Sequence, residues 1–135
     1  MSLTVFITGA TSGIGKATAE FLAQHNYRLI LCGRNKEQLL NLEKYLGKQT
    51  DLITLQFDVR NKNDVFNSIE SLPEDFRNID VLINNAGNAH GLSFIQDGDT
   101  NDWDAMLDIN VKGLLYVSKA ILPKMIERNT GFIVN

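Results

Sequence analysis

The chain has 135 residues, 44% of them hydrophobic, which is enough for one globular domain with a packed core. Its 13 basic and 16 acidic residues give a net charge of −3, without the basic stretches that are typical of proteins that bind nucleic acids or membrane surfaces. We therefore expect no polynucleotide partner, and the lack of a signal peptide or of about 20 consecutive apolar residues predicts a soluble, untargeted protein.

Short apolar runs alternate with longer segments of helical period, a pattern that is typical of β-α-β units. The first run is apolar on both parities, as a strand buried on both faces should be, and Gly9 ends it. Asn26 fits a left-handed residue after the first helix, and Asn35 with Gln38 forms a capping box before the second. Strands are predicted at 3–8, 28–32, 52–57 and 81–84, and helices at 14–25, 36–47 and 61–71.

The second predicted strand contains Cys32, which is the only cysteine. A single cysteine in an apolar run excludes a disulfide framework and a thiolate metal cluster, and it favours a reducing cytoplasm as the compartment. The two histidines, His25 and His90, are isolated, although Asp97 and Asp99 follow His90. One imidazole in a polar loop is usually solvated, so we expect no metal site.

The longest predicted helix spans 100–128 and follows a polar, glycine-containing loop at 88–99. Thr100 is expected to cap this helix, and Asp102 and Asp104 in its first turn suit the helix dipole. Apolar residues that spill beyond one face predict a subunit contact, and hence a homodimer or homotetramer. The predicted core face consists of Trp103, Met106, Leu107, Leu114, Val117 and Ile121, and the residues at its sides are Ile109, Val111 and Leu115.

A fifth strand begins with Phe132, Ile133 and Val134, and the sequence ends at Asn135. The whole order of elements predicts an α/β fold: a doubly wound, Rossmann-type parallel sheet with helices on both faces. A domain rarely stops within such a strand. We therefore expect residues 1–135 to be the N-terminal part of a single-domain protein, truncated in or just after the fifth strand.

The turn between the first strand and the first helix is rich in glycine, in the spacing GxxxGxG. In a doubly wound fold this turn places a dinucleotide pyrophosphate at the helix N-terminus. Gly9 permits the tight exit from the strand, Gly13 lets the backbone approach the phosphates, and Gly15 lets the helix pack against the sheet. Thr11 and Ser12 add hydroxyl donors. The alternative is that the glycines serve only the steric needs of a tight turn.

Four segments resemble motifs of the short-chain dehydrogenase/reductase family. Residues 8–15 (T-G-A-T-S-G-I-G) resemble its cofactor motif, and residues 84–87 (N-N-A-G) resemble the motif after its fourth strand. Asp58 and Val59 are similar to its adenine-contacting pair, and residues 110–113 (N-V-K-G) to its active-site asparagine motif. The resemblance covers all 135 residues and implies an oxidoreductase that transfers a hydride to or from a nicotinamide cofactor.

The end of the second strand indicates which nicotinamide cofactor is used. An acidic residue about 20 positions beyond the glycines binds the ribose 2′-hydroxyl of NAD, whereas an arginine accommodates the 2′-phosphate of NADP. Here Gly33 takes the acidic position and Arg34 comes next, so NADP is favoured over the alternative of a merely solvated arginine. The expected cofactor-binding residues are Gly9, Ala10, Thr11, Ser12, Gly13, Ile14, Gly15, Arg34, Asn35, Asp58, Val59, Asn85, Ala86 and Gly87.

Asn110 is the candidate catalytic residue, because it is polar within the apolar stripe of the long helix. A buried amide needs partners, so it is either structural or catalytic. The family resemblance implies the second role, in which this asparagine helps to hold a water in a proton relay. It also implies a serine after the fifth strand and a Tyr-x-x-x-Lys pair with tyrosinate as the general base. None of these three is present, since no tyrosine here has a lysine four positions later.

The substrate is indicated only by resemblance. Segments 71–73, 78–80 and 122–129 resemble the NADP-dependent 3-hydroxy acid, serine 3-dehydrogenase-like, branch of the family, although common ancestry and packing would explain them equally well. The branch implies a small 3-hydroxy acid, with a generic ketone or aldehyde reductase as the main alternative. Two other classes stay open: a non-catalytic NADP-binding module, and an interaction protein that works through the long helix.

Overall fold

Strands and helices alternate along the chain in the computed structural model, which describes residues 2–89 and 91–135. All five strands pair in parallel in one sheet, in the order β3-β2-β1-β4-β5 from edge to edge. The strands are β1 (Thr4–Ile7), β2 (Arg28–Gly33), β3 (Leu52–Gln56), β4 (Val81–Ile83) and β5 (Phe132–Val134). The α-helices are α1 (Gly13–Gln24), α2 (Lys36–Leu46), α3 (Lys62–Glu70), α4 (Thr100–Leu107) and α5 (Leu114–Glu127).

The side chains of the central strand β1 alternate between two separate cores. Phe6 lies in a core that includes Val65 of α3 and Ile121 of α5. Val5 and Ile7 lie in the other core, to which α1 and α2 contribute. Helices therefore cover both faces of the sheet, and the predicted doubly wound α/β fold is confirmed.

The predicted caps are mostly present. Asn26 follows α1 with a φ of 63°, and the side chain of Asn35 accepts a hydrogen bond of 3.0 Å from the backbone N–H of Gln38. The expectation that Thr100 caps the long helix is wrong, because Asp99 takes this position and accepts a bond from the N–H of Asn101. Two capping residue types stand side by side here, and the carboxylate comes first along the chain.

The long helix is not uniform, because the π-helical segment Asp108–Gly113 separates α4 from α5. A π turn holds more residues than an α turn, so the faces before and after it are rotated relative to a regular helix. The predicted core face is therefore wrong in its middle: Leu107 is 56% exposed, whereas Ile109 is 7% exposed. Asn110, expected among buried residues, is exposed. Beyond the π segment, Val117 and Ile121 are buried as predicted.

None of the helices in the described part of the chain combines the length and the hydropathy needed to cross a bilayer. Within residues 2–89 and 91–135, no group of three or more His, Cys, Asp or Glu side chains could hold a metal ion. His90, the loop histidine weighed above as a metal ligand, lies outside the described residues.

Candidate cofactor-binding site

A cleft of about 340 Å³ lies at the carboxyl ends of the strands. β1 pairs with β2 on one side and with β4 on the other, which makes this the switch point at which doubly wound folds bind ligands. Pockets for small molecules usually measure about 300–1,000 Å³, so the cleft has room for part of a dinucleotide. The predicted site residues that line it are Gly9, Thr11, Ser12, Gly13, Ile14, Arg34, Asp58, Val59, Asn85, Ala86 and Gly87.

Three predicted site residues do not line the cleft. Ala10 is fully buried, and its N–H donates a 3.0 Å bond to the carbonyl of Cys32, which fixes the turn to β2. Gly15 is buried beneath the turn, where a Cβ would collide with the carbonyl oxygen of Gly9 and the side chain of Asn85. Asn35 caps α2 with its side-chain oxygen. These residues fix backbone next to the cleft without lining it.

The glycine turn leaves the start of α1 open to a ligand. Gly9 and Gly13 have φ values of +62° and +55°, a region that favours glycine. Ser12 is the N-cap of α1, but its side chain makes no capping hydrogen bond. The first N–H groups of a helix have no partner within it, and they carry the positive end of the helix dipole. The turn is therefore suited to bind a phosphate.

Thr8 joins the glycine turn to the segment after β4. Its hydroxyl oxygen accepts the backbone N–H groups of Asn85 at 3.0 Å and Ala86 at 2.9 Å, and the side-chain amide of Asn85 donates to the carbonyl of Gly9 at 3.0 Å. Thr8 is only 2% exposed. This residue is absent from the predicted site, although a hydroxyl directly before the first glycine is a signal for such a bond.

Three charged side chains lie close together at the cleft: Arg34 and Asp58 line it, and Arg60 contacts Asp58. The Arg60 guanidinium donates hydrogen bonds to both oxygens of the Asp58 carboxylate: Nη2 lies 2.6 Å from Oδ2, and Nε lies 3.1 Å from Oδ1. Arg34 Nη1 lies 3.9 Å from the same Oδ2. The hydrogen bond from Arg60 is the main cause that holds the pKa of Asp58 below its ordinary value, and the charge of Arg34 adds to it. Sequence reasoning missed Arg60.

Asn110 fastens the segment that comes after β4. Its side-chain oxygen accepts the backbone N–H of Asn88 at 2.9 Å, and its amide nitrogen donates to the Asn88 carbonyl at 2.9 Å. A Cβ at Gly87 would lie 3.0 Å from the same side-chain oxygen, so little room remains there for a larger residue. The structural role that was weighed above is thus visible in the contacts of Asn110.

Asn84, the first residue of the N-N-A-G segment, connects β4 with two other elements. Its amide nitrogen donates to the hydroxyl of Ser118 on α5 at 3.1 Å and to the side-chain oxygen of Asn135 after β5 at 2.9 Å. The carboxyl ends of β4 and β5 are thereby held together beside the cleft.

The cleft also has lining residues that were not predicted: Cys32, Gly33, Phe57, Asn88 and Ile109. Cys32 and Phe57 are at the ends of predicted strands, where a doubly wound fold places its ligand, so their positions could have indicated them. Burial raises the pKa of the Cys32 thiol well above its ordinary value, so this sulfur lines the cleft as an apolar group. Ile109 could not have been indicated, because the π segment turns it inward.

Comparison with known proteins identifies the family. The model of the short chain dehydrogenase family matches residues 3–135. The NADP-dependent 3-hydroxy acid dehydrogenase YdfG of Salmonella typhi is 43% identical over 97% of this chain and 52% of its own length. Sulfoacetaldehyde reductase 2 of Chromohalobacter salexigens is 44% identical over 97% of this chain and 52% of its own length.

Solved structures agree with this result. The closed form of serine dehydrogenase complexed with NADP+ superposes with a TM-score of 0.91 at 40% identity, covering 97% of this chain and 52% of that structure's chain. The chain thus spans about half the length of the curated relatives that it matches. The sequence motifs, the doubly wound sheet and these matches agree, and the chain belongs to the short-chain dehydrogenase family.

Proposed function

We propose that this chain is the nucleotide-binding half of an oxidoreductase that transfers a hydride between NADP(H) and a small hydroxy or carbonyl compound. The observation that carries the proposal is the cleft, where the glycine turn before α1 and Arg34 after β2 meet at the switch point of the sheet. A dinucleotide needs both features, a helix N-terminus for its pyrophosphate and a group beside the adenosine ribose.

The residues of the cleft fit NADP better than NAD. The end of β2 offers Gly33 and Arg34 and no carboxylate for a ribose 2′-hydroxyl. The Arg34 side chain is 62% exposed, and its distance of 3.9 Å from Asp58 is too long for a hydrogen bond, so its donors remain free for a phosphate. The NADP+ bound to the related serine dehydrogenase supports the same choice.

Each part of the dinucleotide has its own proposed contacts in the cleft. The first N–H groups of α1, with Thr11 and Ser12, would hold the pyrophosphate, and Arg34 would bind the 2′-phosphate. Asp58 and Val59 would border the adenine, and residues 85–87 would border the nicotinamide end. When bound, NADP(H) supplies or accepts the hydride, while the protein binds and orients it.

Asn110 is proposed to contribute to the reaction from the π segment. Its bonds to Asn88 fix the backbone after the N-N-A-G segment, which borders the cleft. The family resemblance implies that an asparagine here also helps to hold a water in a proton relay. The serine and the Tyr-x-x-x-Lys pair that the relay needs do not occur in these 135 residues. We place them in the part of the relatives' length that this chain does not span.

The proposed substrate is a small 3-hydroxy acid or the corresponding carbonyl acid. Support comes from the identity of 43% to an NADP-dependent 3-hydroxy acid dehydrogenase. The similarly close sulfoacetaldehyde reductase 2 supports the alternative of a reductase for other small aldehydes or ketones.

We also propose that the complete protein is a cytoplasmic homodimer or homotetramer. A stripe of apolar residues on the π segment and α5 is exposed in the single chain: Val111 by 49%, Leu115 by 57%, Leu122 by 38% and Ile126 by 68%. A contact between subunits would cover it. The cytoplasm is proposed because the one cysteine, Cys32, is a buried free thiol.

The cofactor proposal predicts that NADPH binds more tightly than NADH and that Arg34→Ala removes most of this preference. A charge-assisted contact is worth about 1.5–3 kcal/mol, so we expect a change in the ratio of dissociation constants of roughly tenfold to a hundredfold. Titration of the full-length protein with each nucleotide, followed by fluorescence, measures both constants.

Lys44→Ala is the matched control, because it removes an exposed positive charge at the far end of α2. It should leave the ratio unchanged. A wild-type preference for NADH, or an unchanged ratio in Arg34→Ala, would contradict the proposed cofactor. Binding of NADPH without turnover by the full-length protein would favour the non-catalytic module instead.

A further inference from the structure

Two arginines face the carboxylate of Asp58, which lines the cleft. Arg60 lies closer and contacts Asp58 Oδ2 through Nη2 at 2.6 Å and through Nε at 3.1 Å. Arg34 Nη1 lies 3.9 Å from the same oxygen. The backbone N–H of Arg60 is a third donor, with a bond of 3.0 Å to Oδ1, so the turn itself holds the carboxylate towards Arg60.

We infer that Arg60 is a specificity-determining residue for the cofactor: by occupying the Asp58 carboxylate, it keeps Arg34 available for the 2′-phosphate of NADP. Arg60 acts through Asp58 and is a positioning residue. The inference rests on the proposed function, because it assumes that Arg34 meets a 2′-phosphate.

Competition between ion pairs gives Arg60 this role. A carboxylate that accepts hydrogen bonds from two guanidinium nitrogens and a backbone N–H already has strong partners, so it attracts a second guanidinium less. Without Arg60, the nearest cation to Asp58 would be Arg34. Because the Arg34 side chain is 62% exposed, it could move closer and form an ion pair with the Asp58 carboxylate. A 2′-phosphate would then have to displace a carboxylate from Arg34 and to approach an unneutralised negative charge.

The electrostatics of Asp58 agree with this order of partners. The hydrogen bond from Arg60 is the largest cause of the lowered pKa of Asp58, and the charge of Arg34 is the smallest. Asp108 also acts on Arg60, but Lys112 holds Asp108 at 3.1 Å and neutralises it. Asp58 is therefore the carboxylate that decides whether Arg34 is free.

The test compares dissociation constants for NADP+ and NAD+ in the full-length protein and in Arg60→Ala. We expect the preference for NADP+ to fall about fivefold, the size of one solvent-exposed ion pair, with little change for NAD+. High salt should shrink the loss, because exposed charges are screened. Both constants come from one preparation, so a partly unfolded fraction cancels from their ratio. Lys62→Ala, which removes an exposed charge two residues further on, should not change the ratio.

A double-mutant cycle separates action through Asp58 from a direct contact with the phosphate. In the Asp58→Asn background the carboxylate that could capture Arg34 is gone, so adding Arg60→Ala should leave the ratio unchanged. An equal loss in that background would show that Arg60 binds the nucleotide directly and would overturn the inference, as would an unchanged ratio in Arg60→Ala alone. A wild-type protein without a preference for NADP+ would overturn the proposed cofactor as well.

Discussion

Asp58 shows how the environment of one side chain makes a local contact depend on pH. Its carboxylate is 29% exposed and bonded to Arg60, and this bond holds its pKa below the ordinary value. A carboxyl with a lowered pKa in the folded state binds protons less readily than in the unfolded chain, so folding is favoured where it is ionised. The contribution is complete above the unfolded pKa of about 3.9, and it is lost as the pH falls through the lowered pKa.

We therefore predict that Asp58→Asn destabilises the protein at pH 7 and destabilises it less near pH 3. Below the ordinary carboxyl pKa of about 3.9, the unfolded wild-type chain takes up a proton at this position more readily than the folded protein does, so part of the stabilising contribution of the ionised carboxylate is lost. Thermal unfolding of both proteins at the two pH values measures the difference. Asp51→Asn, at an exposed carboxylate before β3, is the control. A difference that stays constant or grows on acidification would contradict the assigned pKa shift.

The π segment shows why an element can be predicted while its face is not. Every residue from 100 to 127 is helical, as predicted. The six residues Asp108–Gly113, however, form a π-helical segment, which rotates the faces of α5 relative to those of α4. π turns inside α-helices are frequently found at functional sites. Here the turn exposes Asn110 and directs its amide to the backbone of Asn88.

Asn110→Ala should release the segment after β4. Loss of both bonds leaves the N–H of Asn88 without its partner. We expect the free energy of local opening to fall by about 1 kcal/mol, so hydrogen exchange of this amide should become roughly fivefold faster. Hydrogen exchange of the Asn88 amide measures this change. Lys112→Ala alters an exposed side chain of the same π segment and should leave exchange at Asn88 as it is. Unchanged exchange in Asn110→Ala would show that the two bonds do not hold the segment.

The elements and the glycine turn were predictable because each depends on local sequence. Alternating apolar runs and helical periods determine the strands and helices. Gly9 and Gly13 adopt backbone conformations with positive φ, which are unfavourable for other residues. The burial of Ile109 and the pairing of Arg60 were not predictable. The first depends on one extra residue in a helical turn, and the second on where a long, flexible side chain settles between nearby charges.

At the scale of the whole molecule, the exposed apolar stripe on the π segment and α5 needs a cover. If a second subunit provides it, Leu115→Glu should shift the full-length protein from dimer or tetramer towards monomer, because a buried, unpaired carboxylate is strongly unfavourable at an interface. Light scattering at micromolar concentration measures the mass. Phe21→Glu, which changes an exposed apolar residue on α1, is the control. A monomeric wild-type protein would contradict the prediction.

Turnover is the second property of the whole molecule. We predict that residues 1–135 bind NADPH but do not reduce carbonyl acids, because they contain no Tyr-x-x-x-Lys pair, whereas a protein of the relatives' length does both. General acid–base catalysis contributes about a hundredfold to ten-thousandfold, and loss of substrate positioning adds to this. Oxidation of NADPH, followed spectrophotometrically on both lengths, measures the rate. Robust turnover by residues 1–135 would place the base among the residues of this chain.

The central position of β1 also determines when the cleft can form during folding. β1 pairs with β2 early in the chain, but its other edge waits for β4, and the N–H of Thr4 bonds to Asp80, 76 residues away. Contacts across such separations carry a high loop-closure entropy and slow the search for the native topology. Residues that follow β1 and residues that follow β4 line the same cleft, so nucleotide binding requires that this pairing has formed. Nucleotide binding thus reports that the long-range pairing of β1 with β4 has formed.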